Sequence, residues 1–230
     1  MNTREISLSV LTAADDSRGR RVAVEKAALV RNDELAQINR RRFLDSGVRV
    51  VSMASSPGAG KTTLLARTLS DLGPRLKSAV IVGDLATDRD AEQLHASGVD
   101  AVQIATGGVC HLEAAMVGQA ADSFNLDALD LLIIENVGNL VCPAAFDLGE
   151  ARRVVLLSVT EGEDKPLKYP RIFKTADAVL ITKVDIAEAT GFDRGAAVDC
   201  IQRVAPQATV LEVSARSGAG LEAWYEYLTE

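Results

Sequence analysis

Cysteine, histidine and aromatic residues are scarce in this chain. Its 230 residues include three cysteines and two histidines, and aromatic side chains make up only 4%. Three cysteines are too few for a disulfide framework, so we expect reduced thiols that are available to a metal. No apolar run reaches the roughly 18 residues of a membrane span, and the N-terminal residues contain no apolar signal segment. We therefore expect a cytoplasmic protein with no membrane partner.

Positive charge is also in short supply. The chain has 25 lysines and arginines against 32 aspartates and glutamates, for a net charge of −7. A nucleic-acid-binding surface needs a concentrated excess of positive charge, so the composition argues against nucleic acid as a partner. The hydrophobic fraction of 47% is that of an ordinary globular protein. The length suits one α/β domain with a substantial core.

Short apolar runs, rich in β-branched residues, alternate along the chain with helical segments. The predicted strands are residues 48–53, 79–82, 101–104, 131–134, 154–159, 178–181 and 210–213. The predicted helices between and after them are residues 63–72, 90–96, 111–121, 192–204 and 221–228. Non-alternating strands of this kind are typical of parallel sheets covered on both faces. The pattern predicts a doubly wound, mostly parallel α/β sheet with ligands beyond the carboxyl ends of its strands.

The N-terminal part of the chain has a different pattern. Apolar residues at helical spacing over residues 18–44 predict one long helix, or two with a break near Asn32 and Asp33. Residues 1–16 are polar, and we expect them to be loosely held. We divide the chain into an N-terminal segment and helix, residues 1–46, that pack on a nucleotide-binding domain of residues 47–230.

A strand, a glycine-rich loop and a helix follow one another over residues 48–72. The loop fits the pattern G-x-x-x-x-G-K-[ST], with Ser55 in place of the first glycine. Backbone N–H groups of such a loop surround a polyphosphate, Lys61 neutralises the β and γ phosphates, and the Thr62 hydroxyl ligates Mg²⁺. A turn that contains Gly-Lys-Thr by coincidence is the alternative, and the flanking strand and helix argue against it. The residues assigned to a nucleoside triphosphate are Ser56, Pro57, Gly58, Ala59, Gly60, Lys61, Thr62 and Thr63.

Two later tetrapeptides favour guanine as the base. In Thr182-Lys183-Val184-Asp185, the aspartate is able to accept hydrogen bonds from N1–H and the N2 amino group of guanine, and the stem of Lys183 lies over the base. The usual first residue is asparagine rather than Thr182, so one supporting hydrogen bond stays open. In Val213-Ser214-Ala215-Arg216, the backbone of Ala215 is placed to contact guanine O6. The order of both tetrapeptides behind the phosphate loop favours GTP over ATP.

Two acidic residues follow predicted strands. Hydrolysis of a nucleoside triphosphate requires a metal and a positioned water molecule. Asp84 and Glu135 each come directly after an apolar run, and we assign both, together with Lys61, to catalysis. With Thr62 they form the predicted Mg²⁺ site. A helix cap is the alternative role for one acid, although Asp88 is the better candidate for a cap.

Two cysteines and a histidine form a candidate second metal site. Cys110 and His111 are adjacent and open a predicted helix directly after the glycine-rich segment that ends at Gly108, and Cys142 follows the second acidic strand end. Two thiolates and an imidazole suit Zn²⁺ or Ni²⁺. Burial of these cysteines without a metal stays open as an alternative, and we assign Cys200 to the core. Three ligands leave a tetrahedral site incomplete, so a second protomer is expected to close it.

Four stretches of the sequence resemble the HypB family, GTPases that deliver nickel during hydrogenase maturation. They are residues 55–63 (SSPGAGKTT), 83–88 (GDLATD), 135–143 (ENVGNLVCP) and 160–170 (TEGEDKPLKYP). The resemblance implies a P-loop GTPase that dimerises across its nucleotides, with Cys110, His111 and Cys142 binding metal at the dimer interface. It also implies a small zinc-containing nickel chaperone as a partner and the large subunit of nickel–iron hydrogenase as the client.

This chain differs from several members of that family in its N-terminal part. Those members carry a cysteine motif or a histidine-rich tract there, whereas the first cysteine here is Cys110 and the first histidine is His95. We therefore expect no nickel storage by the N-terminal segment. The alternatives are a urease-type nickel-insertion GTPase, a GTPase chaperone for cobalamin enzymes, a GTP-regulated binding module with structural zinc and an ATP-dependent small-molecule kinase.

Overall fold

A computed structural model describes the backbone of residues 8–73, 75–84 and 99–230, and the side chains of residues 26–73, 75–83 and 99–230. Within this part of the chain, seven strands pair in parallel to form one sheet, in the order β3-β2-β4-β1-β5-β6-β7. Their bounds are Arg49–Ser55 (β1), Ser78–Asp84 (β2), Asp100–Ala105 (β3), Leu131–Gly138 (β4), Arg152–Ser158 (β5), Ala178–Thr182 (β6) and Thr209–Val213 (β7). The predicted doubly wound α/β fold is confirmed.

Helices cover both faces of the sheet. The α-helices of the described residues are Leu8–Asp45 (α1), Lys61–Leu72 (α2), Ala114–Ala121 (α3), Lys165–Lys168 (α4), Pro170–Lys174 (α5), Ala187–Thr190 (α6), Arg194–Val204 (α7) and Leu221–Thr229 (α8). Short 3-10 turns lie at Leu126–Ala128, Cys142–Ala145 and Val184–Ile186. None of the helices in the described ranges is both long enough and apolar enough to cross a membrane.

Among the residues whose side chains are described, the core consists of three apolar clusters, which explains why the strands read as continuous apolar runs. One cluster joins β1 and β4 to α2 and α8 and includes the fully buried Trp224. A second lies under α1 and α3, around Phe43 and Leu112. The third lies under α5 and α7, around Phe173 and Ile201. Burial on both faces therefore requires apolar residues along most of each central strand.

Helix α1 begins at Leu8, earlier than predicted, and continues without a break at Asn32 and Asp33. Asn32 does not interrupt the helix because its side chain bonds outward: Nδ2 donates to the Asp147 carbonyl and Oδ1 accepts from the Ala114 N–H, both at 2.8 Å. About two turns further along α1, Asn39 Nδ2 donates to the carbonyl of Ala114 at 2.8 Å. Buried polar groups with full hydrogen bonding are tolerated in a core, so α1 is anchored to the sheet domain by asparagines.

Gly149 shows how closely α1 approaches the loop before β5. Its φ is +89°, and a Cβ there would lie 2.6 Å from the Ala36 carbonyl oxygen. Both the left-handed backbone and the close approach require glycine. This packing lets the buried asparagines of α1 reach the loop.

Several sequence predictions need correction. The predicted helix at 111–121 begins only at Ala114, because Glu113 has an extended backbone, with φ −114° and ψ 156°. Cys110 and His111 therefore lie in the preceding loop instead of opening the helix. Cys200 is partly exposed on α7 rather than fully buried in the core. The sequence reading missed α4, α5 and α6, which are each one turn or little more. The predicted helix at 90–96 lies outside the described residues.

Candidate nucleotide and metal site

The phosphate loop connects β1 to α2 beyond the carboxyl end of the sheet. Gly58 and Gly60 have φ values of +76° and +91°, a left-handed backbone that glycine adopts without steric cost. The loop borders a cavity of about 520 Å³ lined by residues 57–63, 82–83, 135–138 and Lys183. Ser56 does not line this cavity; its carbonyl closes the turn by accepting from the Ala59 N–H at 3.4 Å. All other residues predicted to contact phosphate face the same space.

Lys61 and Glu135 meet at the floor of this cavity. The Lys61 ammonium lies 3.7 Å from Glu135 Oε1 and donates to Ser55 Oγ at 3.2 Å. The Thr62 hydroxyl donates to the same Glu135 oxygen at 2.8 Å. Ser55 therefore acts as an acceptor for the lysine where the general pattern has a glycine. A hydroxyl and a carboxylate beside a phosphate loop form an oxygen ligand set that suits Mg²⁺.

Asp84, the other predicted acid, ends β2 at the same edge of the sheet. Its neighbour Gly83 lines the phosphate cavity, so the backbone of β2 ends beside that cavity. The side chain of Asp84, and the whole of Asp88 and His95, lie outside the described residues. The role of Asp84 therefore stays a prediction.

A second cavity, of about 230 Å³, adjoins the first and shares Gly60 and Lys183 with it. Asp185, Ser214, Ala215 and Arg216 line it, as the guanine assignment requires. The Asp185 carboxylate accepts a hydrogen bond from the Ser214 hydroxyl at 2.6 Å, which orients it. A phosphate cavity that continues into a smaller pocket with an oriented carboxylate matches the shape and chemistry of a purine nucleotide.

Lys183 and Thr182 tie the base pocket to the phosphate loop. Lys183 has a left-handed backbone, φ 61°, and its ammonium donates to the Gly58 carbonyl at 2.7 Å. The Thr182 hydroxyl donates to the Ala59 carbonyl at 2.8 Å. The threonine therefore ties the end of β6 to the phosphate loop, and its role in base recognition stays a prediction.

Arg67 contacts the base-pocket loop, and sequence reasoning missed this residue. Its guanidinium donates to the Ala215 carbonyl at 3.3 Å and pairs with Asp71 at 2.7 Å, which links α2 to the base-pocket loop. Hydrogen bonds from Tyr225 and Arg67 hold the pKa of Asp71 below its usual range. Burial, followed by the bond to Asp71, raises the pKa of Tyr225. A single arginine on the phosphate-loop helix carries no motif signal, so only the structure identifies it.

Cys110, His111 and Cys142 come together in the loops beyond the carboxyl ends of β3 and β4. Their candidate ligand atoms all lie within 4.8 Å of one another, and the two sulfurs are 2.7 Å apart. The hydrogen bond to Cys142, and then burial, raise the pKa of the Cys110 thiol. Burial lowers the pKa of His111, against the opposing effect of Glu113, and so favours the neutral imidazole. Thiol sulfurs and a neutral imidazole are the donor set of nickel and zinc sites.

The surroundings of His111 support a ligand role. Within the described part of the chain, both ring nitrogens are buried without a hydrogen-bond partner. Nε2 lies 3.5 Å from a Glu113 carboxylate oxygen, which is too long for a good hydrogen bond. The ring stacks on Phe146 with centroids 3.9 Å apart. A buried imidazole that is held by stacking and makes no hydrogen bond through either ring nitrogen fits a metal ligand.

The end of β4 connects the two sites through contacts that the spacing of Glu135 and Cys142 does not show. A Cβ on Gly138 would lie 3.2 Å from Pro57 Cα, so this strand end packs directly on the phosphate loop. Asn136, two residues before Gly138, is buried, and its side-chain oxygen accepts hydrogen bonds from the backbone N–H groups of Leu112 and Val137. Leu112 follows the ligand His111. The segment that begins with Glu135 therefore contacts both the nucleotide cavity and the metal-ligand loop.

A parallel sheet with a phosphate loop, a base pocket and a thiol–imidazole cluster at one edge defines a P-loop nucleotide-binding protein with a candidate metal centre. The family model described as CobW/HypB/UreG, nucleotide-binding domain, matches residues 49–212. The hydrogenase maturation factor HypB of Rhizobium leguminosarum bv. viciae is 50% identical over 92% of this chain and 71% of its own length. That of Escherichia coli K12 is 47% identical over 92% of this chain and 73% of its own length.

Solved structures agree with these matches. HypB from Archaeoglobus fulgidus superposes with a TM-score of 0.81 at 41% identity, covering 86% of this chain and 97% of that chain. HypB from Helicobacter pylori in complex with nickel superposes with a TM-score of 0.82 at 44% identity, covering 86% and 93%. This chain belongs to the HypB family of hydrogenase maturation factors.

Proposed function

We propose that this chain is a GTP-hydrolysing metallochaperone that assists nickel insertion into the large subunit of nickel–iron hydrogenase. The observation that carries the proposal is the placement of Cys110, His111 and Cys142 against the same strand end that holds Glu135 at the phosphate loop. A segment shared by both sites lets the nucleotide affect the metal ligands. The similarity to HypB of Helicobacter pylori, solved in complex with nickel, supports nickel as the cargo.

The nucleotide half of the proposal assigns each polar group at the cavity a role. Lys61 neutralises charge on the β and γ phosphates, and Thr62, Glu135 and Asp84 are the residues that would hold Mg²⁺. When bound, Mg²⁺ neutralises the charge that develops on the phosphate oxygens. The two acids serve the metal or the attacking water, and Asp185 selects guanine. The phosphate contacts are completed by backbone N–H groups of residues 58–63.

The metal half treats nickel as cargo that passes through the chain. Two thiols and one imidazole occupy three positions of a tetrahedral site, and a second protomer supplies the remainder at a homodimer interface. GTP closes this dimer and changes the geometry at Cys110, His111 and Cys142; hydrolysis reopens it. A small zinc-containing nickel chaperone and the hydrogenase large subunit are the partners before and after this step. Residues 47–230 carry these sites, and residues 1–46 are the N-terminal segment of the division given above.

Replacing Asp185 with asparagine is expected to weaken GTP binding about 100-fold. Hydrogen bonds to a charged group contribute about 1.5–3 kcal/mol each, and tenfold in affinity corresponds to about 1.4 kcal/mol. The amide also offers a donor to the second carbonyl of xanthine, so xanthosine triphosphate should bind better than to the parent. Competition titrations with both nucleotides measure the switch. Equal losses for both nucleotides would contradict the assignment of Asp185 to the base.

The test of the proposed function is a nickel titration of metal-free protein bound to GDP or to a non-hydrolysable GTP analogue. Thiolate-to-nickel absorption and molecular mass are followed together. We expect absorption in both states, with a different nickel affinity and a shift to dimer in the GTP-analogue state. Equal nickel affinities in the two nucleotide states would contradict GTP-gated delivery. Absence of nickel binding in both states would favour a GTP-regulated binding module with structural zinc.

A further inference from the structure

The side-chain amide of Asn139 spans the two loops that supply the thiols. Asn139 Nδ2 donates to the Cys110 carbonyl at 3.1 Å, and Oδ1 accepts from the Val141 N–H at 2.9 Å. One bond therefore ends on a cysteine ligand itself, and the other ends on the residue that precedes Cys142. Asn139 lies in the stretch 135–143 that carries the family resemblance, but it is not one of the proposed metal ligands and does not line either nucleotide cavity.

Both loops need such a brace. The loop that carries Cys110 contains Gly107 and Gly108, with φ values of +61° and +97°, and a Cβ on either would meet nothing within 4 Å. That loop is therefore loosely packed around its glycines. On the other side, Val141, the residue directly before Cys142, is 61% exposed, whereas Leu140 before it is buried, so apolar packing holds this loop only up to Leu140. An amide that bonds to both loops compensates for this weak packing.

An amide suits the two contacts together, because its donor and its acceptor are separate atoms. Asparagine offers both a donor and an acceptor, whereas an ionised carboxylate only accepts and an apolar side chain does neither. Asn139 also follows Gly138, which packs on Pro57 of the phosphate loop. The brace is thus attached at the point where the nucleotide site meets the metal site.

We propose that Asn139 is a positioning residue for the metal centre, which sets the separation of the Cys110 and Cys142 thiols without binding the metal itself. This inference rests on the proposed function, because it requires that the two thiols bind nickel. It adds a residue that holds the two thiols in position before the metal binds.

The test compares Asn139→Ala with the parent protein and with Asn125→Ala. Asn125 is exposed, its side chain caps no helix, and it lies at the opposite end of the sheet, before the start of β4. Removing a partner that orients metal ligands lowers metal affinity about 10–100-fold. We expect that loss for nickel in Asn139→Ala and no loss in Asn125→Ala. We also expect a changed visible spectrum when Co²⁺ is bound at the thiols of Asn139→Ala, because the ligand geometry relaxes.

Affinity for GDP and the thermal unfolding temperature separate positioning from general damage. Both should stay at parent values in Asn139→Ala. Parent-like nickel affinity and Co²⁺ spectrum in Asn139→Ala would overturn the proposal, as would a loss of nickel affinity matched by losses of GDP affinity and stability. A parent protein that binds no nickel would overturn the proposed function, and the role of Asn139 with it. Those outcomes are distinct, because only the last affects the parent.

Discussion

Replacing Lys61 with alanine is expected to lower the rate of GTP hydrolysis by about 10²–10³-fold, the usual effect of removing one preorganised electrostatic group from a transition state. The Lys61 side chain is buried at the floor of the phosphate cavity, 3.7 Å from Glu135 Oε1. Its charge is therefore held where the β and γ phosphates are expected. Phosphate release under saturating GTP, followed by a coupled assay, measures the effect.

A matched control is available on the same sheet. Lys77 is exposed at the amino end of β2, at the edge opposite the phosphate loop, and Lys77→Ala removes the same charge there. We expect Lys77→Ala to hydrolyse GTP at the parent rate. The variant Lys61→Ala also takes a positive charge away from the buried Glu135, so its thermal unfolding must be measured alongside. Parent-like hydrolysis by folded Lys61→Ala would rule out the assigned role of this lysine.

Replacing Cys142 with alanine is expected to weaken nickel binding by more than the 10–100-fold that follows loss of a residue orienting a ligand. The change removes one of three ligands whose donor atoms lie within 4.8 Å of one another. The thiolate-to-nickel absorption should fall with it. Cys110→Ala should give the same result, because the two sulfurs are neighbours at 2.7 Å and belong to one site.

The third cysteine provides the control for this experiment. Cys200 lies on α7, outside the cluster formed by the other two, and Cys200→Ala should bind nickel as the parent does. Because all three variants lose one thiol, non-specific thiol binding would affect them equally. Equal losses in Cys200→Ala and Cys142→Ala would therefore contradict the metal site. GTP hydrolysis measured without nickel should remain in all three, since none of these side chains lines the nucleotide cavity.

Local sequence patterns were sufficient where the physics is local. The phosphate loop follows from glycines that allow a left-handed backbone, followed by Lys61 at the first position of a helix. Strands buried on both faces must be apolar, so the runs along the chain predicted the parallel sheet. Short elements such as α4 and α6 contain too few residues to show a helical period. The helix predicted to begin at Cys110 and His111 begins at Ala114, so both residues lie in the loop before it.

Contacts between distant segments depended on the tertiary structure. The parallel α/β class, the phosphate loop and the residue types of a soft-metal site could be predicted from the sequence alone. Each of these depends on neighbouring residues and on composition. The sequence did not show that Thr182 bonds to Ala59, that Arg67 bonds to Ala215, or that Asn139 joins the loops of both thiols. Those contacts arise only when the parallel strands bring their carboxyl ends to one edge, and no spacing along the chain encodes which side chains meet there.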